Sequence, residues 1–168
     1  KGQGHGKALL QECINDSRDK DGIVVVSSRK PKPFLTDKRF FLKHGFEIVD
    51  SAPPYFELLA LRTNPEAPFP RFAEAMKSPP PETDSGLVIY YSALCPFTDY
   101  YVDEVVQTAR DRGMTAQKIK IQSHEQAQAT PAATPIFTTY LDGEFLTHEV
   151  LNTGRFENLL CRTNSKRD

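Results

Sequence analysis

Apolar residues fall into two blocks on either side of a proline-rich stretch, and each block mixes helical spacing with strand-like runs. In the first block Leu9, Leu10, Cys13 and Ile14 make one stripe at helical spacing, which predicts a helix over residues 7–20 with Gly22 just past its end. Residues 23–26, "IVVV", are a continuous β-branched run, the pattern of a strand buried on both faces. Thr36 is placed to cap a second helix that reaches Lys43 and stops at Gly45. Residues 46–49 and 55–62 read as strands. In the second block residues 86–91 form a strand. A helix follows over 99–112, with Val102, Val105, Val106 and Ala109 inward and Gly113 at its end. Residues 116–121 alternate like a half-exposed strand. Ser123 and Gln126 have capping-box spacing, and Asp142-Gly143 joins strands 136–141 and 144–149 as a hairpin. Residues 155–161 close as a helix. The second block therefore runs βαβαββα, and the chain as a whole reads as α/β with mixed (α+β) sheets.

Residues 64–86 hold six of the thirteen prolines. Proline removes a backbone donor and fixes φ, so neither a central strand nor a long helix fits there. Only 71–77 has room for a short helix. The expected division is a first domain over 1–63, a semi-rigid linker over 64–85, a second domain over 86–161 and a tail over 162–168.

Composition narrows the function classes. The chain has 168 residues, a net charge of -1, and 39% hydrophobic and 26% charged residues, which suits a packed globular protein without a strongly basic surface for nucleic acid. No apolar run approaches the roughly 20 residues of a membrane span. Cys13, Cys95 and Cys161 are odd in number and widely spaced, unlike a disulfide framework or a zinc site. A cytoplasmic setting is expected, with neither nucleic-acid nor membrane partners.

The opening "KGQGHGKALL" runs glycines straight into a helix. A helix N-terminus has unpaired N–H groups and partial positive charge, and glycines let a phosphate approach the backbone. Two readings stay open from the residues alone: a phosphate cradle and an ordinary flexible glycine run. It is not a P-loop, because no Ser or Thr follows Lys7. "KGQGHGKALL", "IVVV" and "FFLKHGFEIV", in that order, resemble the C-terminal half of the GNAT N-acetyltransferases over residues 1–62. The resemblance implies that Lys1, Gly2, Gln3, Gly4, His5, Gly6 and Lys7 bind the pyrophosphate of acetyl-CoA, the cosubstrate, for acyl transfer to an amine. Lys1 stands where that family has Arg or Gln. Phe41 stands where many members have a tyrosine thought to protonate the leaving thiolate, and a phenyl ring donates no proton.

That family's first strands and helices precede this motif. The expectation is a C-terminal piece of a longer protein, inactive alone. Its "IVVV" strand would have an open edge, covered by another chain, by the linker, by the second domain or in a homo-oligomer.

"YYSALCPFTDYY" puts Cys95 between a strand and a helix, with Pro96 suited to a first helical position. Positive helix-end potential favours a thiolate there. With Thr134-Pro135 before the hairpin and the βαβαββα order, the second block resembles a thioredoxin-like fold, and the resemblance implies Pro135 as its cis-proline. Thr98 replaces the second cysteine, which leaves only monothiol chemistry through a mixed disulfide, or an ordinary cysteine in a fold that has lost that chemistry. The pairing of the two blocks resembles bacterial GNAT proteins with a C-terminal YoaP-like domain.

His5, His44, His124 and His148 show no metal-ligand spacing and read as surface or cap residues. His5 lies in the glycine loop, within reach of a phosphate. Arg29, Lys30 and Lys32 read as a solvated basic loop or a phosphate-attracting one, and Cys13 as a structural residue on the helix stripe. The leading reading is an acetyl-CoA-dependent N-acetyltransferase. Its rivals are a thiol-redox protein using Cys95 with Pro135, and a non-catalytic binding module.

Overall fold

The computed structural model describes residues 3–78 and 85–164. The chain is α/β with two separate sheets and divides into two compact units, residues 1–72 and 73–168.

The first unit is α1 (His5–Asp16), β1 (Gly22–Ser28), α2 (Lys38–Leu42), β2 (Glu47–Ala52) and β3 (Phe56–Arg62). The strands form an antiparallel sheet in the order β1-β3-β2. On one face Leu10 and Ile14 of α1 and Phe40 and Phe41 of α2 pack over Ile23, Val25, Phe46, Leu59 and Leu61. Residues 64–72 belong to this unit. The Arg62 guanidinium lies 3.9 Å from the Phe69 ring centre and donates to the carbonyls of Pro65 and Ala67, and the Phe72 N–H donates to Asp50 at 2.9 Å.

Several local expectations are corrected here. α1 ends at Asp16 rather than Lys20, because the Ser17 N–H closes on Cys13 and Arg18 turns back to Asn15. Its inward stripe is narrow: Leu10 is buried, whereas Leu9 is 69% exposed and Cys13 is exposed. The "IVVV" strand is not buried on both faces. It has one neighbour, β3, and Val24 is 54% exposed. The second helix is capped by Asp37, whose side chain accepts from Arg39 N–H, and not by Thr36. Thr36 instead offers its carbonyl to the Ser27 hydroxyl.

The second unit opens with a 3-10 turn over Glu74–Lys77, so the short helix expected from residue 71 forms only in its last part. β4 (Leu87–Ser92), α3 (Thr98–Asp111), β5 (Ala116–Ile121), α4 (His124–Ala129), β6 (Phe137–Leu141), β7 (Glu144–Thr147) and α5 (Thr153–Asn164) follow. The sheet order is β5-β4-β6-β7, with β4 and β5 parallel and the other pairs antiparallel. Strand alternation sends Leu87, Ile89 and Tyr91 to a core with α3 and α5, while Val88 and Tyr90 join Ile121 and Tyr140 on the other face. Ser123 caps α4 by accepting from Gln126 N–H, but the Gln126 side chain serves Gln122 and not the cap residue. His148, just past β7, is buried at 6% exposure, against the surface or cap position expected from sequence.

Candidate functional site

The glycine turn comes first. Gly4 is the N-cap of α1 at φ +79°, a left-handed conformation that a Cβ disfavours. The first helical bond runs from Ala8 N–H to the Gly4 carbonyl at 3.1 Å. The N–H groups of His5, Gly6 and Lys7 therefore lack intrahelical acceptors. No side chain caps them and the first turn holds no acidic residue. Residues 3–9 are exposed, and the His5 ring meets Gln3 at 3.0 Å. Three free N–H groups, the Lys7 ammonium and the His5 imidazole, with no carboxylate among them, form a donor set that fits a pyrophosphate. Lys1 and Gly2 lie outside the described residues.

The turn leans on α2. A Cβ added to Gly6 would meet the Phe40 ring at 3.5 Å. Phe40 and Phe41 stack edge to face at 5.2 Å, and Phe41 lies 5.3 Å from Phe46. Both phenyl rings are partly buried against the Leu10, Phe46 and Leu59 core, and the Phe41 ring has no proton to donate.

Two residues before Phe40, Lys38 donates to Glu57 at 2.7 Å. Glu57 is buried at 8% exposure near the start of β3, in register with Ser27 of β1 and Ser51 of β2. Ser27 is fully buried and Ser28 nearly so, each with its hydroxyl bonded to a loop carbonyl. Sequence reading did not single out this pair. The available signal was a lone carboxylate inside "YFELLALR", which a buried strand tolerates only with a partner.

In the second unit Cys95 sits half-buried in the loop between β4 and α3. The helix starts at Thr98 with Phe97 as its cap, so Pro96 lies in the preceding turn and not at the first helical position. The Thr98 N–H donates to the Cys95 carbonyl at 3.1 Å, and the Ser92 N–H donates to Ile136 at 3.2 Å, which joins the loop before β6 to the end of β4. Thr98 is fully buried and its hydroxyl has no partner. Leu94, Phe97, Tyr100 and Ile136 are exposed around this end. Pro135 follows Thr134 through a trans bond; the cis bond among the described residues is Pro53-Pro54. A proline preceding a strand has no intrinsic need for cis, which is the minority isomer.

Beside the loop, Lys120 of β5 reaches both oxygens of Asp99, at 2.6 and 2.9 Å. Lys120, with Tyr91 next, holds the Asp99 carboxyl below its ordinary range. Burial, helped by the hydrogen bond to Asp99, pushes the Tyr91 phenol up to about 12. This cluster ties β4, β5 and the first turn of α3 together. Residue spacing gave no hint of it, because its members are 8 and 21 positions apart.

Among the described residues no helix is long and apolar enough to cross a membrane, and no group of three or more His, Cys, Asp and Glu could hold a metal.

The sequence profile of the YoaP-like family matches residues 116–158. Over 162 residues, 95% of its length, the chain is 39% identical to a protein of Bacillus subtilis (strain 168) named "Uncharacterized N-acetyltransferase YoaP". The match spans 64% of that relative. No solved structure matches the chain. The chain is thus similar, along nearly its whole length, to a protein named as an N-acetyltransferase, and its second unit contains a YoaP-like segment.

Proposed function

We propose that the chain carries the CoA-gripping part of an acetyl-CoA-dependent N-acetyltransferase of the GNAT type, joined to a thioredoxin-like, YoaP-type unit. The observation that carries this reading is the left-handed Gly4 turn, with the bare first turn of α1 behind it. The similarity to a protein named as an N-acetyltransferase supports it, as does the β1-β3-β2 order after a glycine-led helix. In this reading the N–H groups of residues 5–7 and the Lys7 ammonium hold the pyrophosphate of the acetyl donor. The amine acceptor attacks the thioester carbonyl, backbone donors stabilise the developing oxyanion, and a proton reaches the leaving sulfur. The open β1 edge takes a further strand, from another chain or from further sequence of the same protein. The Cys13 and Cys95 thiols, in no disulfide, fit a reducing cytoplasm.

Isothermal titration with CoA tests the reading. Wild-type chain releases binding heat, and Gly4→Val weakens binding by about tenfold or more, roughly 1.4 kcal/mol, by straining the turn and crowding the N–H groups. Absence of binding at millimolar CoA sinks it.

A second reading, monothiol chemistry at Cys95, has one observation in its favour: the buried, partnerless Thr98 hydroxyl one turn from the thiol. Cys95→Ser leaves CoA binding unchanged under the first reading. Trapping of a mixed disulfide that is lost with Cys95→Ser supports the second.

A further inference from the structure

β7 is the last strand of the second sheet, and among the described residues only β6 pairs with it. Its outer edge therefore has a row of backbone N–H and C=O groups without a strand partner. α5 runs back beside this edge without closing on it. Two cavities lie between them, of about 280 and about 360 Å3, and both are lined by Leu159 and Arg162. Thr147 and Arg155 line the first, and Glu144, Leu146 and Thr163 line the second. The two cavities are thus parts of one groove that follows the whole of β7.

The side chains along this groove are not used by the fold. Phe156 and Leu160 are the α5 residues that fill the core, while Leu146 and Leu159 are only partly buried against it. Arg155, Asn158 and Arg162 stand on one face of α5, at spacings of three and four residues. Asn158 and Arg162 are exposed, and neither side chain makes a hydrogen bond or ion pair among the described residues. Two glutamates also line the groove. Glu149 lies 3.7 Å from Arg155, and Glu144 stands at the hairpin end. Arg162, which lines both cavities, is the arginine left without an ion pair.

We propose that the groove between β7 and α5 takes an extended segment of a partner protein as a further strand of the second sheet, with an acidic side chain of that segment seated on Arg162. Each part of the groove supplies one element of that recognition. The open edge gives main-chain pairing, Leu146 and Leu159 accept alternate apolar side chains, and the Arg162 guanidinium beside the Asn158 amide selects a carboxylate. A small anion would use Arg162 alone and leave the edge and the apolar floor unused. Glu144 disfavours a second acid toward the hairpin, so one central acid between apolar residues is the pattern that fits. The proposal concerns the second unit alone and is independent of the acetyltransferase reading.

The test uses the isotope-labelled full chain and a capped five-residue probe peptide, valine-threonine-glutamate-threonine-valine, whose first, third and fifth side chains share one face in a strand. Backbone amide signals of residues 144–147 and 155–163 are expected to shift, saturating at about millimolar peptide. A peptide with glutamine at its centre is expected to bind about fivefold more weakly. Arg162→Gln, a change at an exposed and unpartnered side chain, weakens the glutamate peptide by the same factor and leaves the glutamine peptide unchanged. Two further peptides carry methyl groups on alternate backbone nitrogens. The set that faces β7 abolishes binding and the other set does not, which is the signature of strand addition. Absence of shifts at about 5 mM peptide, shifts elsewhere in the chain, or equal binding of both methylated peptides overturns the proposal. So does self-association in sedimentation without peptide that Arg162→Gln abolishes, because the groove would then belong to a second copy.

Discussion

β5 and β1 are both edge strands, and they are finished in opposite ways. β5 carries Lys118 and Lys120, each paired with an acid of α3, so its open side is charged and tied to a helix of its own unit. β1 carries Ile23, Val24, Val25 and Val26 with no charge among them, and among the described residues only β3 pairs with it. A charged edge is how a sheet avoids further pairing, and a bare β-branched edge invites it. The cores differ in the same direction. The second unit closes on large, fully buried side chains from β4, α3, β6, α5 and the loop before α5, including Phe137, Phe156, Leu151 and Val102. The helix side of the first unit has Leu10, Phe46 and Leu59 buried, while its flanking apolar residues remain partly open. One unit is self-sufficient in its core and at its β5 edge. The other has a more open core and leaves one edge without charge.

The comparison is broken most directly by removing one core side chain from each unit. Phe156→Ala is expected to cost about 3–5 kcal/mol and Leu59→Ala about 2–5 kcal/mol. Each should shift a separate transition in denaturant unfolding followed by hydrogen exchange. A single shared transition moved by both variants would refute independent units.

Alkaline pH offers a smaller and more selective effect. Tyr91 and Tyr140 are both raised to about 12, chiefly by burial. Their folded-state values lie above the unfolded value near 10, so each contributes stability that is present below about pH 10 and lost as pH climbs toward 12. Each can contribute at most roughly 2.7 kcal/mol. Unfolding between pH 10 and 12 should therefore begin in the second unit, and Tyr91→Phe should remove part of the pH dependence. A pH-independent second unit in that window would contradict the assignment.

The smallest stability effect is at the bare edge. Val24→Lys should change stability by no more than about 0.5 kcal/mol, because Val24 is already exposed. Self-association measured by light scattering should nevertheless fall. Unchanged association would mean that the edge is already protected.

Much of the second unit was legible because its signals are local. The 116–121 strand, the Asp142-Gly143 hairpin and the Ser123 cap form where residue spacing puts them, although burial along 116–121 does not alternate and the second hairpin strand ends at Thr147 rather than 149. The first unit misled where burial depends on neighbours. "IVVV" has the composition of a central strand, yet its exposure follows from having a partner on one side only. At the candidate site the glycine turn could be read from seven consecutive residues, whereas Lys38 and Glu57 are 19 positions apart.

By itself the sequence determined the order of elements, the punctuation by glycine and proline, and the absence of a hydroxyl at position 41, since each depends on backbone preference or side-chain chemistry within a few residues. Only the tertiary structure decided that β1 is an edge, that His148 is buried, that Thr134-Pro135 is trans, and that Lys38 meets Glu57. Those outcomes depend on which distant segments come together, and burial, pairing and charge compensation exist only once they have.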